Sequence, residues 1–169
     1  MKADKRKWLI KIAVIFALLS VSKKSLAQSD TTAVKFINPS AVNRPKGYSQ
    51  AAQIDLGSCK MLIISGQVAF DSNGNLVGKG DFSEQAEQVF RNIKSIVESA
   101  GGSMNNVVKL GFYLVDIKQI QALRGIRDKF FNPKEPPTST LVEVSKLFRD
   151  DVLVEIEAIA IIPVNKKVD

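Results

Sequence analysis

The sequence predicts an α+β fold in which two helices cover one face of a mixed β-sheet, in the order β-β-α-β-α-β-β. Two stretches repeat their apolar residues every three or four positions, and short alternating or apolar segments bounded by turn residues surround them. With 169 residues, 45% of them hydrophobic and 24% charged, the chain has the composition of one globular domain. Helices separated by strands pack on the same face of one sheet, which leaves the other face bare.

The first two strands are predicted at residues 50–56 and 61–65. Residues 68–70 continue towards a turn at 71–74, because Asn73-Gly74 is a strong hairpin-turn signal. We therefore expect the chain to reverse direction there, before the first helical segment.

The first helix is predicted to begin at Asp81, with Glu84 three residues later, and to end at Gly101-Gly102. A second helix follows a cap at Asp116 and cannot continue past Pro133. The apolar residues that define the two helical faces are Ala86, Val89, Phe90, Ile93, Val97 and Ala100 in the first, and Ile120, Leu123, Ile126 and Phe130 in the second.

Between the helices, residues 107–115 predict a strand with Val108, Leu110, Phe112 and Leu114 on one face. Residues 138–145 and 152–162 predict the last two strands, and the polar turn between them indicates an antiparallel hairpin. The final strand is apolar on both sides. Since the chain has no third layer to cover its second side, we expect another copy of the chain to do so.

The first 27 residues have the order of a secretory signal peptide: a basic start, an apolar run at 12–21, and the small residues Ser25 and Ala27. That run is shorter than the roughly 17 to 25 residues a membrane-spanning helix needs. We expect export to a periplasm or to the outside of the cell, with no membrane attachment after cleavage. An uncleaved anchor and a stable N-terminal helix are the alternatives. Residues 28–36 then predict a linker, 37–163 the domain and 164–169 a polar tail.

Charge and absent residue types exclude several classes of chemistry. Residues 1–27 hold seven of the 24 Lys and Arg and one of the 17 Asp and Glu, which leaves 17 basic and 16 acidic residues. A near-neutral domain does not favour nucleic acid as a partner. The chain has no histidine, which excludes Ser-His-Asp and Cys-His nucleophile systems and ordinary His-containing metal sites. Its one cysteine, Cys59, cannot form an intramolecular disulfide and is interpreted as a small buried apolar residue.

An ordered set of motifs between residues 37 and 163 resembles the RidA (YjgF) family. The resemblance implies a chorismate-mutase-like fold and a homotrimer with a central barrel and ligand clefts between neighbouring subunits. The motifs are Tyr48-Ser49-Gln50-Ala51, Ile64-Ser65-Gly66-Gln67, Ala100-Gly101-Gly102, Val107-Val108-Lys109, Val142-Glu143-Val144 and Val154-Glu155-Ile156-Glu157-Ala158-Ile159-Ala160.

RidA proteins hydrolyse reactive enamines and imines, such as 2-aminoacrylate and 2-iminobutanoate, to the 2-keto acid and ammonia. No cofactor takes part, so the resemblance implies none here. By the same resemblance, Tyr48, Ser65 and Glu155 surround the reacting carbon and its water, and Gly66 belongs to the binding set. From the residues alone, Tyr48 could instead only pack against the hairpin, and Ser65 could be structural, positioned by the turn at Gly66. Glu155 is the strongest candidate, because an acid on an apolar strand is costly unless it is used or paired.

The sequence departs from the family pattern at two positions. Ser139 stands where the family has the arginine that binds the substrate carboxylate, and Arg124 replaces an asparagine of the second helix. A charge-assisted hydrogen bond contributes about 1.5 to 3 kcal/mol, so affinity for a carboxylate should fall by about ten- to a hundredfold. Either Arg124 reaches the cleft and restores a cation, or the ligand lacks a carboxylate and is bound by Ser139 and Thr140 together with Tyr48 and Glu155. We favour the second.

Three functions remain for such a cleft. The first is a cofactor-free hydrolase of the enamine and imine deaminase type, and the second is a metabolite-binding or chaperone-like trimer without turnover. The third is an endoribonuclease, which ranks last because the domain is near neutral and has no histidine to move protons. For the hydrolase and for the binding trimer, the expected partners are a small molecule and further copies of the chain.

Overall fold

The computed structural model describes residues 33–164 and contains two helices and a six-stranded mixed sheet. The predicted leader (1–27), most of the predicted linker and the end of the predicted tail lie outside these residues. Within them, no helix is long and apolar enough to cross a membrane. The elements are β1 (Val34–Ile37), β2 (Ala51–Asp55), β3 (Cys59–Gln67), α1 (Phe82–Ser99), β4 (Val107–Leu114), α2 (Ile120–Arg127), β5 (Thr138–Glu143) and β6 (Val154–Pro163).

The predicted fold class is confirmed: both helices pack on one face of one sheet. The strand order is β1-β2-β3-β6-β4-β5, and only β4 and β5 are parallel. The core lies between this face and α1, with α2 packed beside α1. Phe90 of α1 is fully buried and stacks on Phe130, with ring centroids 5.2 Å apart.

The helix boundaries follow the predicted signals. The Asp81 side chain accepts a hydrogen bond from the backbone N–H of Glu84 at 3.0 Å, which caps α1. Gly101 ends the helix with a φ of 87°, a conformation that favours glycine. Asp116 accepts from the backbone N–H of Lys118, as its predicted role as a cap requires, although a short 3₁₀ turn precedes α2 there.

The predicted hairpin between the last two strands is wrong. Instead, β5 pairs in parallel with β4, and β6 lies between β3 and β4, antiparallel to both. The chain from β4 through α2 to β5 is a crossover connection, which makes its two strands parallel. The strand with apolar residues on both sides takes the centre of the sheet, where β3 and β4 pair with its two edges. The helices cover only one of its two sides.

Two local predictions also need correction. Strand β1 begins at Val34, so the end of the predicted linker at 28–36 belongs to the sheet. Three of the four residues of β1 are exposed, so the strand has no apolar alternation by which it could be predicted.

On β4, the register shifts between Val107 and Lys109, so Val107 is buried and Val108 is 42% exposed. This irregularity moves Val108 off the buried face on which it was predicted.

The helix-free side of the sheet, called here the open face, carries several apolar side chains. Alternate residues of β6 are buried beneath the helices, while Ile159 and Ile161 point to the open face and are only partly buried. Strand register places Ile63 of β3 beside Ile159, and Val142 of β5 beside Tyr113 of β4, on the same side. The open face is therefore apolar over much of its area, as the pattern of the last strand predicted.

Candidate functional site

A groove of about 870 Å³ lies at the edge of the open face, and four of the predicted site residues line it. These are Tyr48 from the loop before β2, Ser65 and Gly66 from β3, and Glu155 from β6. Loop residues complete the lining, including those of the turn at 71–74 and of the loop that joins β5 to β6. The structure thus brings together in one chain the residues that the family resemblance selected as catalytic.

A bulge in β3 places Gly66 against Glu155. Ile64 pairs with Ala158 and Gln67 with Ile156, so β3 has one residue more than β6 over this stretch. A Cβ built on Gly66 would stand 2.7 Å from Cδ of Glu155 and closer still to its carboxylate oxygen. Because residue 66 has no side chain, the Glu155 carboxylate can lie across the bulge.

Buried amides anchor the loop that carries Tyr48. Nε2 of Gln67 donates to Oε1 of Gln50 at 2.8 Å, and Nε2 of Gln50 donates to the carbonyl of Asn43 at 2.6 Å. The Ser65 hydroxyl donates to the Ser49 carbonyl at 2.7 Å, directly beside Tyr48. The two motifs around Tyr48 and Ser65 therefore bind each other, and the Ser65 oxygen keeps its lone pairs for a ligand.

Two groups of the groove, Glu155 and Tyr48, have a raised pKa. Burial raises the pKa of Glu155, and the nearby charge of Glu157 raises it further. Burial also raises the pKa of Tyr48, with a second contribution from the charge of Glu155. A carboxyl group that holds its proton to higher pH than usual is suited to both accept and return a proton.

The groove also contains cations and aromatic rings that no sequence motif marks. Arg44, Lys46 and Arg149 line it, together with Phe70 and Phe148. These residues have no helical or strand period, since they lie in loops. The one signal available was the position of two basic residues just before the Tyr48 motif.

Ser139, Thr140 and Arg124 do not line this groove within one chain. Both β5 residues are exposed, and β6 and β4 separate their strand from β3. Ser139 pairs with the buried Leu110 and Thr140 with Gly111, so their side chains point to opposite faces of the sheet. Thr140 is on the open face, in the same row as Glu157. Arg124 is exposed on α2. Their predicted roles in ligand binding stay predictions.

Residues 33–164 contain no cluster of three or more His, Cys, Asp or Glu side chains that would hold a metal ion. Cys59, expected to be buried, is only partly so and lies at the first position of β3, whereas Ser65 is near its end. The chemistry that the groove itself offers is therefore that of a carboxyl group, a phenol, a hydroxyl and cations.

Comparisons with known proteins agree with this geometry. The family model described as endoribonuclease L-PSP matches residues 39–162. A RutC family protein of Pyrococcus horikoshii is 41% identical over 121 residues, which are 70% of this chain and 91% of that protein. The 2-iminobutanoate/2-iminopropanoate deaminase of Salmonella typhimurium is 37% identical over 122 residues, covering 70% and 92%.

Solved structures give the same result. RidA from an Antarctic Psychrobacter superposes with a TM-score of 0.67 at 35% identity, over 76% of this chain and 99% of that one. TdcF of E. coli with bound serine has a TM-score of 0.65 at 30% identity, covering 75% and 98%. From the matched residues, the shared fold and the motifs gathered at the groove, the chain is a member of the RidA (YjgF) family, which the endoribonuclease L-PSP model describes.

Proposed function

We propose that the protein binds a small molecule in the groove at Glu155 and hydrolyses a carbon–nitrogen double bond, releasing a carbonyl product and ammonia. The observation that carries this proposal is the half-buried Glu155 carboxyl laid across Gly66, beside Tyr48 and Ser65. Support comes from the similar Salmonella protein named as an imine deaminase and from the similar TdcF structure with bound serine.

The proposed reaction needs one group that moves a proton. The substrate reacts as the protonated iminium ion: water adds to its carbon while the Glu155 carboxylate takes a proton from that water, which gives a neutral carbinolamine. The protonated Glu155 then returns this proton to the nitrogen. As the carbon–nitrogen bond breaks, the carbinolamine hydroxyl gives its proton to the Glu155 carboxylate, the carbonyl product and ammonia leave, and Glu155 passes the last proton to the ammonia or to solvent. The raised pKa of Glu155 suits these steps, because a carboxylate with a raised pKa accepts a proton more readily than an ordinary one and its acid form can return it. The hydroxyls of Tyr48 and Ser65 orient the water and the substrate.

The site we propose is completed by a neighbouring copy of the chain in a homotrimer. Ile63, Ile159 and Val142 leave an apolar open face on the single chain, and burial of such a face is what favours assembly. Thr140 lies on that face and Ser139 on the edge strand, and neither lines the groove of its own chain, so in this proposal both contribute to the groove of another copy. A monomer in light scattering at micromolar concentration would contradict this arrangement.

The standard 2-imino acids should be poor substrates if Ser139 takes the place of the family arginine. A neutral serine donor replaces a charged two-point contact, and the loss of one charge-assisted hydrogen bond corresponds to about ten- to a hundredfold in affinity. This substitution favours a second candidate function, in which the trimer binds a metabolite without converting it.

The decisive experiment measures the hydrolysis of 2-iminobutanoate, generated in situ, by the unaltered trimer, by Glu155→Gln and by Ser139→Arg. We expect slow hydrolysis by the unaltered protein, at least tenfold faster hydrolysis by Ser139→Arg, and none above background by Glu155→Gln. Equal rates for Glu155→Gln and the unaltered protein would overturn the role of Glu155. If the unaltered protein and Ser139→Arg are both inactive, the binding function replaces the hydrolase. RNA added to the same preparations should stay intact.

Export is proposed on the sequence of residues 1–27. Mass spectrometry of protein from cell fractions tests it directly. A mature N-terminus near Gln28 in the periplasm or the medium supports export, and an intact Met1 in the cytoplasm would rule it out.

A further inference from the structure

Five residues of the groove, called here the basic-aromatic set, lie outside the family motifs. They are Arg44, Lys46, Phe70, Phe148 and Arg149. All five belong to loops, which flank the groove that also holds Glu155. The charges and rings of these five side chains therefore influence which ligand the groove binds, and they take no part in the sheet.

Arg44 and Lys46 are cations without a carboxylate partner among residues 33–164. Both are exposed, and Pro45 between them restricts the backbone. Two hydrogen bonds from Gln50 fix this loop: the Gln50 side chain donates to the Asn43 carbonyl, and the Gln50 backbone N–H donates to Oδ1 of Asn38 at 2.8 Å. Two cations on an anchored loop give a standing positive potential in the groove.

Arg149 has a different environment. Its Nη2 lies 2.6 Å from Oδ2 of Asp151 and its Nε 2.9 Å from Oδ1, so its charge is already compensated. The guanidinium carbon lies 5.3 Å from the centroid of the Phe70 ring. Arg149 therefore packs on the Phe70 ring and is paired with Asp151. Of the three groove cations, Arg44 and Lys46 are the two available to a ligand.

Phe148 is 64% exposed, an unusual position for a phenylalanine on a short loop. Its ring meets Phe70 edge to face, with the centroids 6.1 Å apart. One face of the Phe148 ring is therefore free in a groove that also contains cations. A ring presented in this way favours a ligand that brings its own apolar surface.

We propose that the groove binds an organic anion that also carries an aromatic or bulky apolar group. Arg44 and Lys46 bind the anionic group, and Phe148, supported by Phe70, packs against the apolar group. The proposal rests on the small-molecule site proposed above and specifies its ligand. It differs from the sequence-based expectation of a ligand without a carboxylate, because Arg44 and Lys46 offer cations at a different place from Ser139, where the anionic group of a larger ligand binds.

The size of the groove agrees with such a ligand. A volume of about 870 Å³ is near the upper end of the usual range of about 300 to 1,000 Å³ for small-molecule sites. In the single chain, a four-carbon imino acid would leave most of this space empty of ligand. Side chains that a neighbouring copy adds would narrow the space, and a ligand with a ring would still cover Phe148.

Titration calorimetry with three matched probes tests the proposal on the full trimer. Phenylpyruvate has both the anion and the ring, 2-oxobutanoate has only the anion, and phenylacetone has only the ring. We expect phenylpyruvate to bind at least tenfold more tightly than either of the others. Equal affinity for phenylpyruvate and 2-oxobutanoate, or no measurable binding of phenylpyruvate, would overturn the proposal.

Variants assign the two contacts. The double variant Arg44→Gln/Lys46→Gln should weaken phenylpyruvate binding by about tenfold or more and leave phenylacetone binding unchanged. Phe148→Ala should weaken phenylpyruvate binding by about three- to tenfold without affecting 2-oxobutanoate. Lys118→Gln removes an exposed cation outside the groove and is the control for charge. Unchanged phenylpyruvate affinity in the double variant would refute the anion contact.

The outcomes separate this proposal from the proposed hydrolysis. If phenylpyruvate binds selectively and no imine is hydrolysed, the ligand class stands and the hydrolase function fails. If 2-iminobutanoate is hydrolysed and the three probes bind equally weakly, the hydrolase function stands and the ligand class fails. Light scattering on each variant confirms that the assembly is intact.

Discussion

The Glu155 carboxyl group occupies the space where a side chain of Gly66 would stand: a Cβ at residue 66 would lie 2.7 Å from Cδ of Glu155. Gly66 has no positive φ, so its role is to leave room and not to permit an unusual backbone. The bulge at Ser65 and Gly66 and the acid on the neighbouring strand are in this way parts of one arrangement.

Gly66→Ala should therefore displace Glu155 and lower turnover, or ligand affinity, by at least tenfold. The clash falls on the end of a flexible side chain, so we expect a loss of stability of only about 1 kcal/mol. Urea denaturation and the imine assay measure the two effects. Gly125→Ala is the matched control, because a Cβ there meets nothing within 4 Å; it should stabilise α2 by about 0.5 to 1 kcal/mol without changing turnover. Full activity of Gly66→Ala would show that the position of Glu155 is unimportant.

Glu155→Gln should make the protein more stable, and the gain should depend on pH. Burial and the charge of Glu157 raise the pKa of Glu155 in the folded state above its ordinary value of 4.5. The folded protein then binds this proton more tightly than the unfolded chain. The free energy of unfolding of the unaltered protein therefore falls as pH rises from 4.5 to the folded-state pKa of Glu155. The stability difference between Glu155→Gln and the unaltered protein should be smallest below pH 4.5 and should grow until the folded-state pKa is passed.

Urea titrations at a series of pH values provide this measurement. Glu135→Gln, which removes an exposed carboxyl group in the loop after α2, controls for the change in net charge. A constant difference between Glu155→Gln and the unaltered protein across the series would contradict the raised pKa.

Gln85 should be one of the most sensitive polar positions. Its fully buried side chain donates to the carbonyls of Gly78 and Asp151 at 3.1 and 2.8 Å and accepts from the backbone N–H of Leu153 at 2.9 Å. Gln85→Ala leaves these backbone groups without partners, so we expect a loss of about 3 kcal/mol in urea denaturation. Gln121→Ala on the exposed side of α2 should stay within about 0.5 kcal/mol. Similar values for the two variants would contradict the importance of this bridge.

The parts of the fold that depend on local sequence were predictable, and those that depend on distant pairing were not. Periodicity and caps located α1 from Asp81 to Gly101, because both signals act within one helix. The partner of β5 could not be found in this way, since chain neighbours were assumed to pair and the loop before β6 lets that strand cross to the centre of the sheet. The apolar character of both sides of β6 could be predicted, because the alternation of side chains along a strand does not depend on which strands flank it.

In the candidate site, too, some residues could be predicted from local motifs and others could not. Tyr48, Ser65 and Glu155 could be named from motifs, and the structure brings them to one groove. Arg44 and Phe148 could not, because their approach to that groove is set by the path of two loops, for which the sequence has no period. Ser139 and Thr140 lie away from the groove in the single chain, and the roles proposed for them require a neighbouring copy.

The buried pair Gln50 and Gln67 should couple stability to ligand binding, because it joins the Tyr48 loop to β3. Gln67→Ala leaves the buried Oε1 of Gln50 without its donor, and Gln50→Ala removes one of the two acceptors of Gln67 Nε2, which keeps the Ser65 carbonyl at 2.9 Å. We expect each to cost about 1 to 3 kcal/mol. The double variant should cost less than the two single losses together, since it leaves no orphaned amide. Each should also weaken phenylpyruvate binding, because the Asn43 carbonyl contact that anchors Arg44 and Lys46 depends on Gln50. Urea denaturation and calorimetry on the three variants test both effects. Strict additivity of the stability losses would mean that the two amides act independently, and that the loop is held by its other contacts, such as the Ser65 hydroxyl on the Ser49 carbonyl.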